Sequence, residues 1–138
     1  MKAILQYIEG LAFVGKSDSN HWVAIDGPQE FSGGDAAGHP MELILLALGS
    51  CTGGDVVSIL QKKKVRLQGF EIHIEADCSD VHPKVFTKIH IEYVFIGQKL
   101  NVVHLERAIE LSQKKYCSVS AMLRVSVPIT TSYKILEG

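Results

Sequence analysis

The feature that most constrains this chain is a long helix with apolar side chains on every face. The segment Pro40–Lys62 begins with a proline, which fits the first turn of a helix because the missing N–H would be unpaired there anyway. Its apolar run, residues 43–48, covers all sides of a helix, as in a fully buried one. Gly49, Gly53 and Gly54 weaken the middle by about 1 kcal/mol each relative to alanine. We therefore expect another backbone or a ligand to approach the helix closely there.

A chain of this size has difficulty burying such a helix by itself. Its 138 residues fit a single domain, residues 1–138. A domain of about this length buries only roughly 68–70% of the surface that its unfolded chain exposes. Two copies that packed their central helices against each other would solve the problem. The sequence therefore predicts an obligate homodimer.

The segments around the central helix alternate between strand and helix patterns. Lys16 is expected near the tip of a hairpin that joins the second and third strands. The fourth and fifth strands alternate apolar and polar residues, which is typical of an antiparallel pair. The predicted strands cover residues 3–8, 11–14, 22–25, 70–78, 85–95 and 125–135, and the further helices cover 102–115 and about 117–123. This order predicts an α+β fold with antiparallel sheets around a long buried central helix.

Composition and charge exclude several classes of protein. The chain has 14 Lys and Arg against 15 Asp and Glu, so it lacks the cationic excess that nucleic-acid and anionic-membrane binding require. Residues 1–9 lack the pattern of a signal peptide, and the apolar run is shorter than the roughly 20 residues that span a bilayer. Three cysteines without a CxxC spacing do not form a disulfide framework. We expect a cytoplasmic protein that binds neither nucleic acid nor membrane.

The cysteines are the main candidates for chemistry. Cys51 lies within the central helix among small residues, which leave space beside its sulfur, although a buried cysteine often acts only as a small apolar residue. Cys117 precedes the short helix, where the helix N–H groups and the nearby Lys114 and Lys115 would stabilise a thiolate, or where the residue merely packs a corner. Cys78, at the end of a strand, is interpreted as structural.

Other kinds of site lack their sequence patterns. The six histidines show no HExxH or HxH spacing, so we predict no metal site. The glycine-rich segment 26–39 contains neither GxxxxGK[ST] nor GxGxxG, which argues against a phosphate-binding loop. It is either a functional loop or a mobile connector. No GxSxG elbow of a serine hydrolase is present.

Two motifs resemble the OsmC/Ohr family. Residues 38–52, GHPMELILLALGSCT, resemble the central-helix motif of that family, and residues 115–123, KYCSVSAML, resemble its second-cysteine motif. Residues 82–89, HPKVFTKI, further resemble the YhfA-like subgroup. The order of the motifs and the glycine-rich segment before the helix agree with the family as well.

The resemblance implies an intertwined homodimer with an OsmC-like fold and a thiol peroxidase that reduces organic hydroperoxides. It implies that Cys51 attacks the peroxide and that Cys117 resolves the resulting sulfenic acid as a disulfide. An external dithiol then reduces this disulfide. Neither a metal nor an organic cofactor is required.

The resemblance also implies a cation and a carboxylate that assist the first thiol. No arginine precedes Arg66, so Lys16 is the candidate cation, with His21, His39 or a residue of the partner chain as alternatives. Glu42 is the candidate orienting carboxylate. Because it stands one residue later than in the Ohr branch, the alternative is a first-turn acid that only favours the helix dipole.

A different class of function is compatible with the same motifs. A YhfA-like protein without efficient peroxide chemistry would bind a small hydrophobic ligand, or sense redox state, in the pocket at the dimer interface. The reactivity of the Cys51 thiol distinguishes the two hypotheses.

Overall fold

The computed structural model describes all residues from Met1 to Gly138, which form two compact units, Met1–Leu46 and Ala47–Gly138. The strands are β1 (Ala3–Glu9), β2 (Ala12–Ser17), β3 (Val23–Ile25), β4 (Gly69–Cys78), β5 (Phe86–Ile96) and β6 (Ile129–Leu136). The α-helices are α1 (Pro40–Lys62), α2 (Val102–Leu111) and α3 (Ser118–Leu123), with a 3₁₀ turn at Gln29–Phe31 and a π-helical turn at Ser112–Tyr116. The predicted α+β class is confirmed. The single domain over residues 1–138 stays a prediction.

The first unit contains a small antiparallel sheet in the order β1-β2-β3. Tyr7 of β1 stands opposite Phe13 of β2, and their rings meet edge to face at 5.5 Å between centroids. The expected hairpin of β2 and β3, with Lys16 near its tip, is confirmed. Lys16 is the penultimate residue of β2, one residue beyond the last β2–β3 pair (Gly15 with Val23), and it still pairs with Ile4 of β1.

The glycine-rich segment is organised by one buried carboxylate. Asp26 is 3% exposed and accepts hydrogen bonds from the backbone N–H groups of Gly27 (2.7 Å), Gly34 (3.2 Å) and Ala36 (3.1 Å). These bonds favour the ionised form and hold the pKa of Asp26 below its usual value. The segment is therefore a folded loop that leads into α1.

The second unit is built on a mixed sheet in the order β4-β5-β6. The antiparallel pairing of β4 with β5 is as predicted, whereas β5 pairs with β6 in parallel. The helical segments α2 and α3 lie between β5 and β6 in the chain, and a parallel pair needs such a crossover. Tyr93 and Phe95 of β5 are fully buried and stack with Phe70 of β4.

Helix α1 has the predicted bounds but is not buried on all sides within one chain. Its buried residues form one face, namely Leu48, Thr52, Gly53, Val56 and Leu60. Leu46 is 66% exposed, so the expected burial of every face is not reached inside a single subunit. By length and composition alone α1 could cross a membrane, a test that core helices of soluble proteins also pass. The homodimer stays a prediction.

Helix α2 ends earlier than predicted, and a π-helical turn replaces its last turn. The backbone N–H of Cys117 donates to the carbonyl oxygen of Ser112 at 2.8 Å across this turn. Ser112 is fully buried. The wider turn therefore directs the Ser112 hydroxyl toward α1 and ends the helical segment at Cys117.

Candidate redox site

The second unit brings two of the predicted site residues together. The sulfur atoms of Cys51 in α1 and Cys117 before α3 lie within 4.8 Å of each other and of a carboxylate oxygen of Asp55. Both cysteines are free thiols. Cys51 is partly accessible, whereas Cys117 is only 3% exposed. The structure thus pairs an accessible thiol with a buried one.

Cys117 is the N-cap of α3, as the sequence predicts. Its side chain accepts a hydrogen bond from the backbone N–H of Ser120, with 3.3 Å between nitrogen and sulfur. Ser120 is itself fully buried. Cys117 is therefore held in place by α3 on one side and by the turn from Ser112 on the other.

The expected stabilisation of a Cys117 thiolate is wrong in its net direction. Burial raises the pKa of Cys117, hydrogen bonds from Ser120 lower it in part, and the neighbouring Cys51 raises it further. The two lysines named as helpers are engaged elsewhere. Lys114 pairs with Glu110 at 3.0 Å, and Lys115 lies over the ring of Tyr116. Cys117 is consequently a protonated thiol in the resting structure.

Asp55 is a member of the site that was not predicted from the sequence. It lies one helical turn after Cys51 on α1, so that both side chains project from the same face. The hydroxyl of Ser112 donates to its carboxylate at 3.0 Å. The spacing of four residues between Cys51 and Asp55 was the available signal, but only the tertiary structure adds Cys117 and Ser112.

A hydrogen-bonded network lies beneath the three groups. Because the Asp55 carboxylate can only accept, Ser112 donates to it, Thr52 donates to Ser112 (2.8 Å), and Tyr93 donates to Thr52 (2.6 Å). The amide of Gln113 donates to both Thr52 (3.0 Å) and Tyr93 (2.9 Å). Burial raises the pKa of Tyr93, which keeps its hydroxyl a donor.

The only arginine of this network stands at its outer end. Arg124 donates to the amide oxygen of Gln113 at 2.6 Å. The guanidinium thus contacts Gln113, whose other end reaches Thr52 and Tyr93. The chain of hydrogen bonds fixes the side chains around the thiols and ends on Asp55.

The other predicted site residues have partners within the first unit. The ammonium of Lys16 donates to Asn20 at 2.8 Å and lies 4.8 Å from the centre of the Trp22 ring. Glu42 accepts from the backbone N–H of His39 at 3.0 Å, which is the geometry of a helix-capping acid. Their proposed roles at the thiol stay predictions.

His39 makes contacts with two carboxylates. Its ring lies 2.8 Å from Asp35 and 3.4 Å from Glu42, and its hydrogen bond with Asp35 raises the pKa of the imidazole. These contacts hold His39 at the start of α1. Its role as an alternative activating group also stays a prediction.

Cys78 and two strand histidines lie apart from the thiol pair. Cys78 is exposed at the end of β4, so its expected role as a packed structural residue is wrong. His73 pairs with Glu71 at 2.8 Å, while His90 hydrogen-bonds two hydroxyls of β6. The hydroxyls belong to Thr130 and Ser132.

Comparison with known proteins identifies relatives over the whole chain. A model of the family described as OsmC-like protein matches residues 33–132. Protein YhfA of Escherichia coli strain K12 is 39% identical over 138 residues, which cover 100% of both chains. A hypothetical protein from Aquifex aeolicus has a similar structure, with a TM-score of 0.86 at 31% identity over 99% of this chain and 96% of that one.

More distant structures share the fold. An organic hydroperoxide resistance protein from Legionella pneumophila has a TM-score of 0.71 at 17% identity, with 97% of each chain covered. At this identity the likeness concerns the arrangement of helices and strands.

Proposed function

The chain belongs to the OsmC-like protein family, and from this membership and the paired thiols we propose that it is a thiol-dependent peroxidase that reduces organic hydroperoxides. The observation that carries the proposal is the proximity of the Cys51 and Cys117 sulfurs, within 4.8 Å. The name of the Legionella protein, which shares this fold, supports the substrate class.

The different accessibility of the two thiols supports the proposed order of their reactions. Cys51 is the partly exposed member of the pair, so a peroxide can reach its sulfur. Cys117 is buried and, with its raised pKa, protonated. A thiol that is hidden from bulk solvent and waits within 4.8 Å is suited to resolve an oxidised neighbour.

The chemistry balances without a cofactor. The Cys51 thiolate attacks one oxygen of ROOH, an S–O bond forms, the O–O bond breaks, and the alkoxide leaves as ROH after taking up a proton. The product is a sulfenic acid. Cys117 then loses its proton, its sulfur displaces the hydroxyl group as water, and an S–S bond forms. An external dithiol reduces this disulfide and is itself oxidised.

The supporting roles are part of the same proposal. Lys16 supplies positive charge to the Cys51 thiolate, Glu42 orients that cation, and the working form is a cytoplasmic homodimer. The exposed apolar side chains of α1, Leu46 among them, support association of two copies. A solution mass near that of one chain at micromolar concentration would exclude the dimer.

Three single substitutions test the peroxidase. Cys51→Ser is expected to abolish consumption of an organic hydroperoxide in the presence of a dithiol. Cys117→Ser is expected to allow one oxidation per chain, seen as a sulfenic acid by mass spectrometry, and no turnover. Cys78→Ser is the matched control because Cys78 is exposed on β4, and it should retain activity.

One result would remove the peroxidase from consideration. If the wild type and Cys51→Ser consume hydroperoxide at equal rates, Cys51 is not the attacking thiol. The alternative of a protein that binds a small hydrophobic ligand or senses redox state would then be favoured.

A further inference from the structure

We propose that Cys51, Asp55 and Cys117 form a binding site for a thiophilic divalent cation, with zinc as the ion that fits this donor set. The three side chains place two sulfur atoms and one carboxylate oxygen within 4.8 Å of one another. The site uses the same thiols as the proposed peroxidase but does not depend on peroxidase activity. The prediction of no metal site depended on the absence of histidine spacing patterns, whereas this cluster contains no histidine.

The distances are close to those of a zinc site. Zn–S bonds of about 2.3 Å and Zn–O bonds of about 2.1 Å in a tetrahedron place two sulfurs about 3.8 Å apart and a sulfur and an oxygen about 3.6 Å apart. The three donor atoms lie at most 4.8 Å apart in the structure, so they need to approach one another by about 1 Å to reach that geometry. Rotation of the accessible Cys51 and Asp55 side chains on α1 can close this gap while Cys117 stays fixed.

The donors can compensate the charge of a bound cation. In the metal-bound form, with both thiols deprotonated, the three donors would carry three negative charges, and Asp55 makes no ion pair within the chain. Its partner is a neutral hydroxyl, that of Ser112. A bound divalent ion would offset two of the three charges. Metal binding would also displace the proton of Cys117, because the thiolate is the form that coordinates.

The surroundings of the donors resemble the outer shell of a metal site. The hydroxyl of Ser112 holds one carboxylate oxygen of Asp55 and is itself part of the network through Thr52 and Tyr93. Such hydrogen bonds orient ligands for a metal. The backbone N–H of Ser120 does the same for the Cys117 sulfur.

The donor set selects among metals. Two thiolates and one carboxylate suit zinc, whereas magnesium and calcium prefer oxygen ligands throughout. Three protein ligands leave a fourth position of a tetrahedron for water or an external ligand. Because both sulfurs would bind the ion, zinc would prevent their oxidation to a disulfide and would reversibly mask the redox pair.

The test is a metal titration of the reduced full-length protein. Zinc is expected to bind with a stoichiometry of one per chain by isothermal titration calorimetry. Cobalt in its place is expected to show thiolate-to-metal charge-transfer absorption. Cys117→Ser should reduce that absorption and Cys51→Ser should reduce it likewise.

Matched variants make the test specific. Asp55→Asn keeps the shape of the side chain and should weaken zinc binding at least tenfold. Asp77→Asn and Cys78→Ser alter an aspartate and a cysteine on β4 and should leave zinc binding unchanged. Zinc should also raise the melting temperature of the wild type more than that of Asp55→Asn, which provides a readout independent of activity.

Three outcomes would contradict the proposed zinc site. Absence of stoichiometric zinc binding, an affinity that Asp55→Asn leaves unchanged, or loss of binding in Cys78→Ser would each do so. These results are independent of the peroxidase, which is assayed with a chelator present, so either proposal can fail while the other stands.

Discussion

The fit between α1 and the sheet makes Gly53 the most sensitive glycine of the helix. A Cβ atom added at Gly53 would lie 2.5 Å from Cδ1 of Ile72 on β4, closer than two carbon atoms approach without a shift. Overpacking of a core costs about 1–3 kcal/mol. Replacing glycine by alanine within a helix returns about 1 kcal/mol. We therefore expect Gly53→Ala to lower the free energy of unfolding by about 0–2 kcal/mol.

Gly54→Ala is the matched control. The two positions are adjacent in α1, so the gain in helix propensity is the same for both. A Cβ atom at Gly54 meets nothing within 4 Å in the chain. Gly54→Ala should therefore raise the free energy of unfolding by about 1 kcal/mol. The difference between the two variants isolates the packing against Ile72.

Denaturant unfolding at one protomer concentration provides the comparison, since the stability of the proposed dimer would depend on concentration. A difference of about 1–3 kcal/mol in the expected order supports the reasoning. Equal gains for the two variants would show that the Ile72 side chain moves aside and would refute the expected packing cost at Gly53. A loss for Gly54→Ala would instead show that a second copy covers that face.

Four further results are expected. Tyr93→Phe should lower the free energy of unfolding by about 1–3 kcal/mol, because buried partners lose a hydrogen bond, and an unchanged denaturation midpoint would contradict this. Because the pKa of Asp26 is lowered, its carboxylate should stabilise the fold fully above pH 3.8 and lose that effect as the pH falls further. The difference in free energy of unfolding between the wild type and Asp26→Asn should therefore shrink as the pH falls below 3.8. Because its pKa is raised, His39 should stabilise the fold fully below pH 6.5 and lose that effect as the pH rises, which a His39→Gln comparison checks. At neutral pH iodoacetamide should alkylate Cys117 more slowly than the exposed Cys78, as measured by mass spectrometry; equal rates would argue against the burial of Cys117.

The fold was predictable where local pattern determined it. The start and the apolar character of α1 followed from its proline and its apolar run, and the alternation of β4 and β5 indicated their antiparallel pairing. The parallel pairing of β6 with β5 could not be predicted from the sequence, since it depends on where the helical crossover returns the chain to the sheet. The π-helical turn before Cys117 was also missed, because residues 102–115 have a continuous helical pattern.

The two thiols of the site could be predicted from the sequence, but the groups around them could not. Two family motifs pointed to Cys51 and Cys117, and the structure brings these residues together. Asp55 was overlooked although it stands four residues after Cys51. The direction of the Cys117 pKa was misjudged because the sequence shows a helix start and two lysines but does not show burial, the largest cause. Burial is a property of the tertiary structure.

Because of the charges around Cys51, one substitution, at Lys16, can distinguish the proposed peroxidase from the proposed zinc site. The unit Ala47–Gly138 surrounds this thiol with a second thiol, a carboxylate and neutral hydrogen-bonding groups, and its Arg124 contacts only the outer amide of the network. A carboxylate within 4.8 Å repels a thiolate, so a reactive thiolate needs compensating positive charge. In the peroxidase this charge is assigned to Lys16, whereas in the masked form the metal ion supplies it. Lys16→Gln should therefore slow hydroperoxide reduction and leave zinc affinity unchanged. Weakened zinc binding with intact peroxidase activity would reverse the assignment of that charge.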